Sequence, residues 1–269
     1  AYAEPEIRSA DLAGLLLDCA EWGARDPRAL AWLDAPPLAA LSAAREELLR
    51  LGALQEDGRI TPLGQRLRAL PLPPRLARMV LAAAALGQAE VAAEIAAVIV
   101  ERGLGGTDVD LSHRLDAFRR DRSRRATDMR RLAAGWARAA SGKGASPATE
   151  DVSVAQLLAL AFPERIGKAR GAPGQFLLAN GRGAMVDGTQ ALARSPFLVA
   201  AELSGTAAAT RILLAAAAEE ADILATAGDR ISEGEEIEFD RSAAALRARR
   251  VRRLDAITLA SEPRAVTPG

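Results

Sequence analysis

A change of hydrophobic period near residue 141 narrows the folds open to this chain more than any other feature of its sequence. Upstream, apolar residues recur every three or four positions, the spacing that lays a stripe along one side of an α-helix. Downstream, short apolar segments alternate with turn residues, as in small antiparallel sheets. Residues 141–150, with Gly142, Gly144 and Pro147, separate the two regimes and read as a linker. The expected fold is multidomain and mainly α with a β-rich C-terminal part, because 269 residues exceed one typical domain.

In the helical half, Leu12, Leu15, Leu16, Cys19 and Trp22 share a stripe behind a Ser9 or Asp11 cap, and Gly23 ends the run. A second helix starts near Pro36-Pro37, carries Leu38, Leu41, Leu48 and Leu51, and closes at Gly52. Asp57-Gly58 then signals a tight turn between two short apolar segments. Helix, helix, hairpin is the order of a winged helix, assigned to residues 1–64.

Residues 65–140 read as a helical bundle. Thr61-Pro62 can cap the helix that leads into it, and Leu70-Pro71-Leu72-Pro73-Pro74 then forces a rigid break, since proline disfavours helical geometry in the residue before it. Stripes follow at Leu76, Met79, Val80, Ala83 and Leu86, at Val91, Ile95, Val98 and Ile99, and at Leu111, Leu115 and Phe118. The last helix places Met129, Leu132 and Trp136 together for packing and sets Arg124, Arg131 and Arg138 on the other side. Residues 151–269 read as a helix over Val154–Phe162, then short segments at Phe176–Ala179, Ala184–Val186, Phe197–Leu203 and Ile212–Ala218. A small antiparallel barrel, OB-like, or a sandwich fits that spacing.

The formal net charge is zero, which excludes a chain that coats nucleic acid by bulk positive charge. Its distribution says more. Nine Arg face three Asp between Leu111 and Ala140, nine acids face one Arg between Glu219 and Asp240, and six Arg stand without an acid from Arg241 to Arg253. Of the 35 basic residues only Lys143 and Lys168 are lysine. Arginine forms two parallel hydrogen bonds to a phosphate, so the bias suits a phosphate-binding surface.

The search for catalytic chemistry gives little. Gly142-Lys143-Gly144 lacks the Ser or Thr that ends a phosphate-binding P-loop and has Ala137 where the first glycine belongs. His113 is the single histidine and Cys19 the single cysteine, which leaves no metal-site spacing and no catalytic triad. Cys19 sits on an apolar stripe and reads as a buried hydrophobe. The run Glu233 to Glu238 has no metal-loop spacing and reads as a solvated strand edge or turn, with the following basic segment within electrostatic reach. No apolar stretch is long enough to span a bilayer, so no membrane contact is expected.

An ordered set of motifs carries a family resemblance. Pro5-Glu6-Ile7, Leu12, Leu16, Leu17 and Trp22-Gly23 are followed by Leu33-Asp34-Ala35-Pro36-Pro37, Leu51-Gly52-Ala53-Leu54, Ile60-Thr61-Pro62-Leu63-Gly64 and Leu70-Pro71-Leu72-Pro73-Pro74-Arg75-Leu76. This series resembles the region after the motor in DEAH/RHA-like helicases, with Pro73 where the family often has a polar residue. Leu157 to Ile166, Phe176 to Ala184, Val199 to Leu203 and Arg249 to Ala256 resemble the bacterial HrpB-type branch.

The resemblance implies an ATP-dependent helicase as the parent, with RecA-like motor domains before residue 1 that would use ATP and Mg, and a further region after residue 269. It implies that this piece has no cofactor and no ATPase activity of its own. It also implies a winged helix that fixes the motor to a ratchet bundle, and a single strand of nucleic acid, RNA favoured, held largely through its phosphates. The single cysteine and a first stretch without the pattern of a signal peptide lead to the expectation of a cytoplasmic protein. The candidate contacts are Arg124, Arg131 and Arg138, Arg182, and Arg247, Arg249, Arg250, Arg252 and Arg253. Two alternatives are a winged-helix transcriptional regulator and a hydrolase of unrecognised type. Against the first, residues 39–51 offer Arg45 and Arg50 balanced by Glu46 and Glu47; against the second, no nucleophile has its base.

Overall fold

The computed structural model describes residues 5–142, 152–206, 209–240 and 245–264. Most of the 141–150 linker, including Lys143 and Gly144, lies outside the described residues. The helices are α1 (Ala13–Glu21), α2 (Leu38–Arg50), α3 (Pro62–Arg68), α4 (Pro74–Ala85), α5 (Ala89–Val100), α6 (Leu111–Arg120), α7 (Arg124–Ser141), α8 (Val154–Ala161) and α9 (Glu220–Ala227). The strands are β1 (Ile166–Ala169), β2 (Gln175–Leu178), β3 (Gly183–Met185), β4 (Phe197–Thr206), β5 (Ala209–Ala218), β6 (Ile231–Asp240), β7 (Ala245–Leu254) and β8 (Ile257–Arg264). Among the described residues no helix is long and apolar enough to cross a membrane.

The chain divides into two compact units, residues 1–100 with 123–151, and residues 101–122 with 152–269. The stretch that carries α6 therefore belongs with the β-rich part, although α5 and α7 on either side of it pack in the first unit.

In the first unit α1 and α2 lead to a single antiparallel bridge, Leu54 to Ile60, around the turn at Asp57-Gly58. Gly58 has φ +82°, which a side chain would strain. Thr61 caps α3 by accepting a hydrogen bond from the Gly64 amide at 2.9 Å, with Pro62 in the first turn. Position 64 is glycine for a steric reason: a Cβ there would stand 2.2 Å from the Ala53 carbonyl oxygen. Beyond the proline break, α4, α5 and α7 pack on one another through Met79, Val80, Ile95, Val98 and Trp136, all buried. Glu47 of α2 meets Arg75 of α4 at 2.7 Å, with both side chains largely withdrawn from water.

In the second unit, Ser153 and Gln156 form a capping box that starts α8, and Asp110 caps α6. Strands β1-β2-β3-β5-β4 close into a barrel filled by Phe176, Leu178, Val186, Leu198 and Ile212. The spacing predicts an antiparallel barrel; the observed one has a parallel seam, β3 beside β5, with Ala184 opposite Thr210. The reason is parity. Strands that alternate in direction cannot all be antiparallel to their neighbours in a ring of five. The Ala215 amide donates to the Val109 carbonyl at 2.9 Å, which ties the segment before α6 to β5.

A separate three-stranded sheet, β6-β7-β8, follows. Lys168 on β1 donates to the Thr258 and Leu259 carbonyls at 2.7 and 3.0 Å, joining barrel to sheet within this unit.

Candidate nucleic-acid interface

Helix α7 starts where Ser123 accepts a hydrogen bond from the Ala126 amide at 3.2 Å. Its buried side is Ala126, Met129, Ala133, Trp136, Ala137 and Ala140. At about 100° per residue Arg124, Arg131 and Arg138 fall on the opposite side. A spacing of seven residues places them about 10.5 Å apart along the axis. Arg124 is 96% and Arg131 76% exposed, and the two share one carboxylate, Asp128, at 3.8 and 3.4 Å. Arg138 is exposed, and among the described residues it has no ion-pair partner. Exposed pairs of this length hold a guanidinium by at most about 1 kcal/mol, so neither Arg124 nor Arg131 is locked away from a phosphate.

The structure corrects one residue of this helix. Leu132, expected in the packing stripe, is 51% exposed. Small alanines at 126, 133, 137 and 140 centre the buried arc on the far side of Met129 and Trp136 and leave Leu132 at its edge beside Arg131.

The remaining candidates lie in the second unit. Arg182 is exposed in the tight turn between β2 and β3, where the Asn180 side chain accepts from the Arg182 amide at 3.1 Å. The turn is held in place by the Ala256 amide, which donates to the Ala179 carbonyl at 3.2 Å.

Strand β7 presents the basic cluster, and the acidic run forms β6 directly beside it. Arg250 pairs with Glu233 at 2.5 Å, Arg253 with Glu236 at 2.5 Å, and Arg252 with Glu220 of α9 at 2.7 Å. Arg247 stands across from Glu238 in the register, and Arg249, also exposed, across from Glu236. Arg250, Arg252 and Arg253 therefore spend their charge on carboxylates of the same chain. Both charge runs are plain in the sequence, but the register that joins them is not.

The other reactive side chains are accounted for locally. Cys19 is buried, and burial first, then the Asp18 charge, push its thiol pKa up, the reverse of an activated nucleophile. His113 Nδ1 lies 3.0 Å from Asp108 Oδ2 on an exposed surface. The bond to Asp108, with the Asp110 charge behind it, pushes the imidazole pKa up. The contact therefore contributes below the ordinary histidine pKa and fades as pH rises through the raised one. A ¹H–¹⁵N NMR titration of this single histidine is expected to give a pKa above the usual 6.5, and Asp108→Asn is expected to lower it. An unmoved value would contradict the pairing.

Comparison with known proteins gives a consistent assignment. The family model described as helicase associated domain (HA2), winged-helix, matches residues 44–72. ATP-dependent RNA helicase HrpB of Escherichia coli is 35% identical over 267 residues, which is 98% of this chain and 31% of that protein. The pre-mRNA-splicing factor ATP-dependent RNA helicase prp22 of Schizosaccharomyces pombe is 30% identical over 95 residues, 35% of this chain and 8% of that one. Two crystal structures of E. coli HrpB, described as a DExH-box NTPase and as a DEAH/RHA helicase, superpose on the whole chain with TM-score 0.80 at 32% identity, each match using 32% of the solved chain. The chain thus spans about a third of the length of HrpB. Agreement in sequence and in fold over nearly every residue makes this chain a member of the HrpB-type DEAH/RHA helicase family, corresponding to its helicase-associated portion.

Proposed function

We propose that this chain forms the nucleic-acid channel of an ATP-dependent helicase and works with RecA-like motor domains, which supply the ATP and Mg site. Its substrate is single-stranded, with RNA favoured over DNA, in the cytoplasm. The first unit acts as a winged helix followed by a ratchet bundle. The second acts as an OB-like domain, a reading supported by its five-stranded closed order β1-β2-β3-β5-β4. Strand translocation and unwinding come from hydrolysis in the motor, and the chain itself does not hydrolyse ATP.

The observation that carries this reading is the arginine face of α7, three positions on the side of the helix opposite its core. Guanidinium groups presented this way meet phosphates and not base edges, so they hold a strand without reading its sequence. Arg182 and Arg249 extend the set in the second unit. Arg250, Arg252 and Arg253 rank behind them because they already face carboxylates, and Arg247, across from Glu238 in the register, ranks with these three.

The test is a titration of labelled single-stranded RNAs of unrelated sequence into the purified chain. Affinities that agree within about threefold are expected, because each base mismatch in a specific site costs roughly 1–3 kcal/mol and a phosphate contact costs nothing on changing sequence. Tight binding to one duplex DNA sequence and none to single strands would replace this function with that of a transcriptional regulator.

A further inference from the structure

A groove in the first unit, away from the buried arc of α7, has a composition that the channel function does not use. Its volume is about 350 Å³, within the range of ligand-binding clefts. Leu16 of α1, Pro27, and Leu38 and Leu41 of α2 form its floor; Arg25, Arg28 and Arg45 stand on its rim with Asp26 and Ser42. The α2 residues 38, 41, 42 and 45 follow the i, i+3, i+4, i+7 pattern, so one side of that helix turns from apolar to cationic along the groove.

The rim is built in advance. Asp26 accepts from the Arg28 amide at 3.0 Å and grips the Arg28 guanidinium at 2.8 and 2.6 Å, while Trp32 Nε1 donates to the Pro27 carbonyl at 2.7 Å. Arg45 donates to the Glu56 carbonyl. Little side-chain entropy remains to be given up when a partner arrives.

Apolar surface continues beyond the floor. Leu38 is 64% exposed, and Leu30 and Leu33 on the loop before it are exposed too. Three arginines against one aspartate beside an aliphatic floor are complementary to carboxylates that flank apolar side chains. They suit a nucleic acid poorly, because base recognition without pairing relies on aromatic stacking and this floor has none.

We propose that this groove docks an acidic amphipathic peptide segment of a partner protein, helical when bound, with leucine-type side chains over Leu38 and carboxylates on Arg25 and Arg45. This is the helix-in-groove mode of peptide recognition. It is independent of the strand contacts assigned to α7.

The experiment is fluorescence anisotropy of the whole 269-residue chain with a labelled peptide of about 16 residues, long enough to be helical, with Leu at i, i+3, i+4 and i+7 spacing and Glu elsewhere. Saturable binding that strengthens at low salt is expected. Leu38→Glu combined with Arg25→Glu should weaken it at least tenfold. Both positions are exposed, and an unchanged circular-dichroism melt verifies that the variant is folded.

The proposal is overturned by absence of saturable binding, by equal binding of the same peptide with Lys in place of Glu, or by unchanged affinity in the folded double variant. Competitive displacement of the peptide by single-stranded RNA would also overturn it, since the groove would then be a nucleic-acid surface.

Discussion

Changing Arg124, Arg131 and Arg138 together to Glu is expected to lower single-stranded RNA affinity on the order of a hundredfold. That figure follows from roughly 1 kcal/mol for each exposed guanidinium–phosphate pair, three pairs in all, with about 1.4 kcal/mol per factor of ten. Fold stability should hardly move, because all three side chains are exposed and lie opposite the buried arc of α7. Two of them give up Asp128 as a partner, but surface pairs at 3.8 and 3.4 Å contribute little. Fluorescence anisotropy measures the affinity and a thermal melt the stability. A folded variant that binds like the parent would remove α7 from the channel. Reversing Arg250 and Arg253 should give the inverse pattern, a sheet weakened by breaking the pairs to Glu233 and Glu236 and a smaller effect on the strand.

Replacing Phe176 with Ala is expected to cost about 3–5 kcal/mol of stability, a large part of what a domain of this kind has in total. The ring is fully buried at the centre of the barrel against Leu178, Leu198 and Ile212, where a closed ring of strands cannot collapse into the space it leaves. Leu132→Gln, by contrast, should fall within about 0.5 kcal/mol, the range of ordinary surface changes. Denaturant unfolding followed by circular dichroism compares the two. A large cost at Leu132 would restore the stripe expected from sequence and contradict the burial seen in the structure.

These two positions show how far the sequence can be read. Phe176 lies in a short apolar segment flanked by turn residues, so its strand is legible. Leu132 is misplaced by spacing alone, because a helical period gives an angle but not the centre of the buried arc. Alanines set that centre, and they carry little hydrophobic signal. The hairpin at Asp57-Gly58, the cap at Thr61 and the proline break before α4 are all visible because each depends on a local backbone rule. The parallel seam in the barrel is not, since it arises from closure.

The three-stranded sheet is hardest to read. Buried positions in β7 are Ala248, Val251 and Leu254, a period of three that is neither the alternation of a one-sided strand nor a full helical stripe. The strand uses both faces, and its pairing with β6 comes from charge as well as burial. Nothing local to either charge run sets the register that joins Glu233 to Arg250 and Glu236 to Arg253. For the proposed site, that register favours α7, the turn at Arg182 and Arg249 over Arg250, Arg252 and Arg253, which already have carboxylate partners.

If the strand is held through its phosphates, binding must depend on salt. The logarithm of the observed RNA-binding constant of the unmodified chain, plotted against the logarithm of salt concentration, is expected to be a straight line with slope about −3.5, from five contacts at Arg124, Arg131, Arg138, Arg182 and Arg249 at roughly 0.7 each. The charge-reversed α7 variant should flatten it by about 2. A slope near zero in the parent chain, or one that the variant leaves unchanged, would contradict the assignment of the α7 face to the strand.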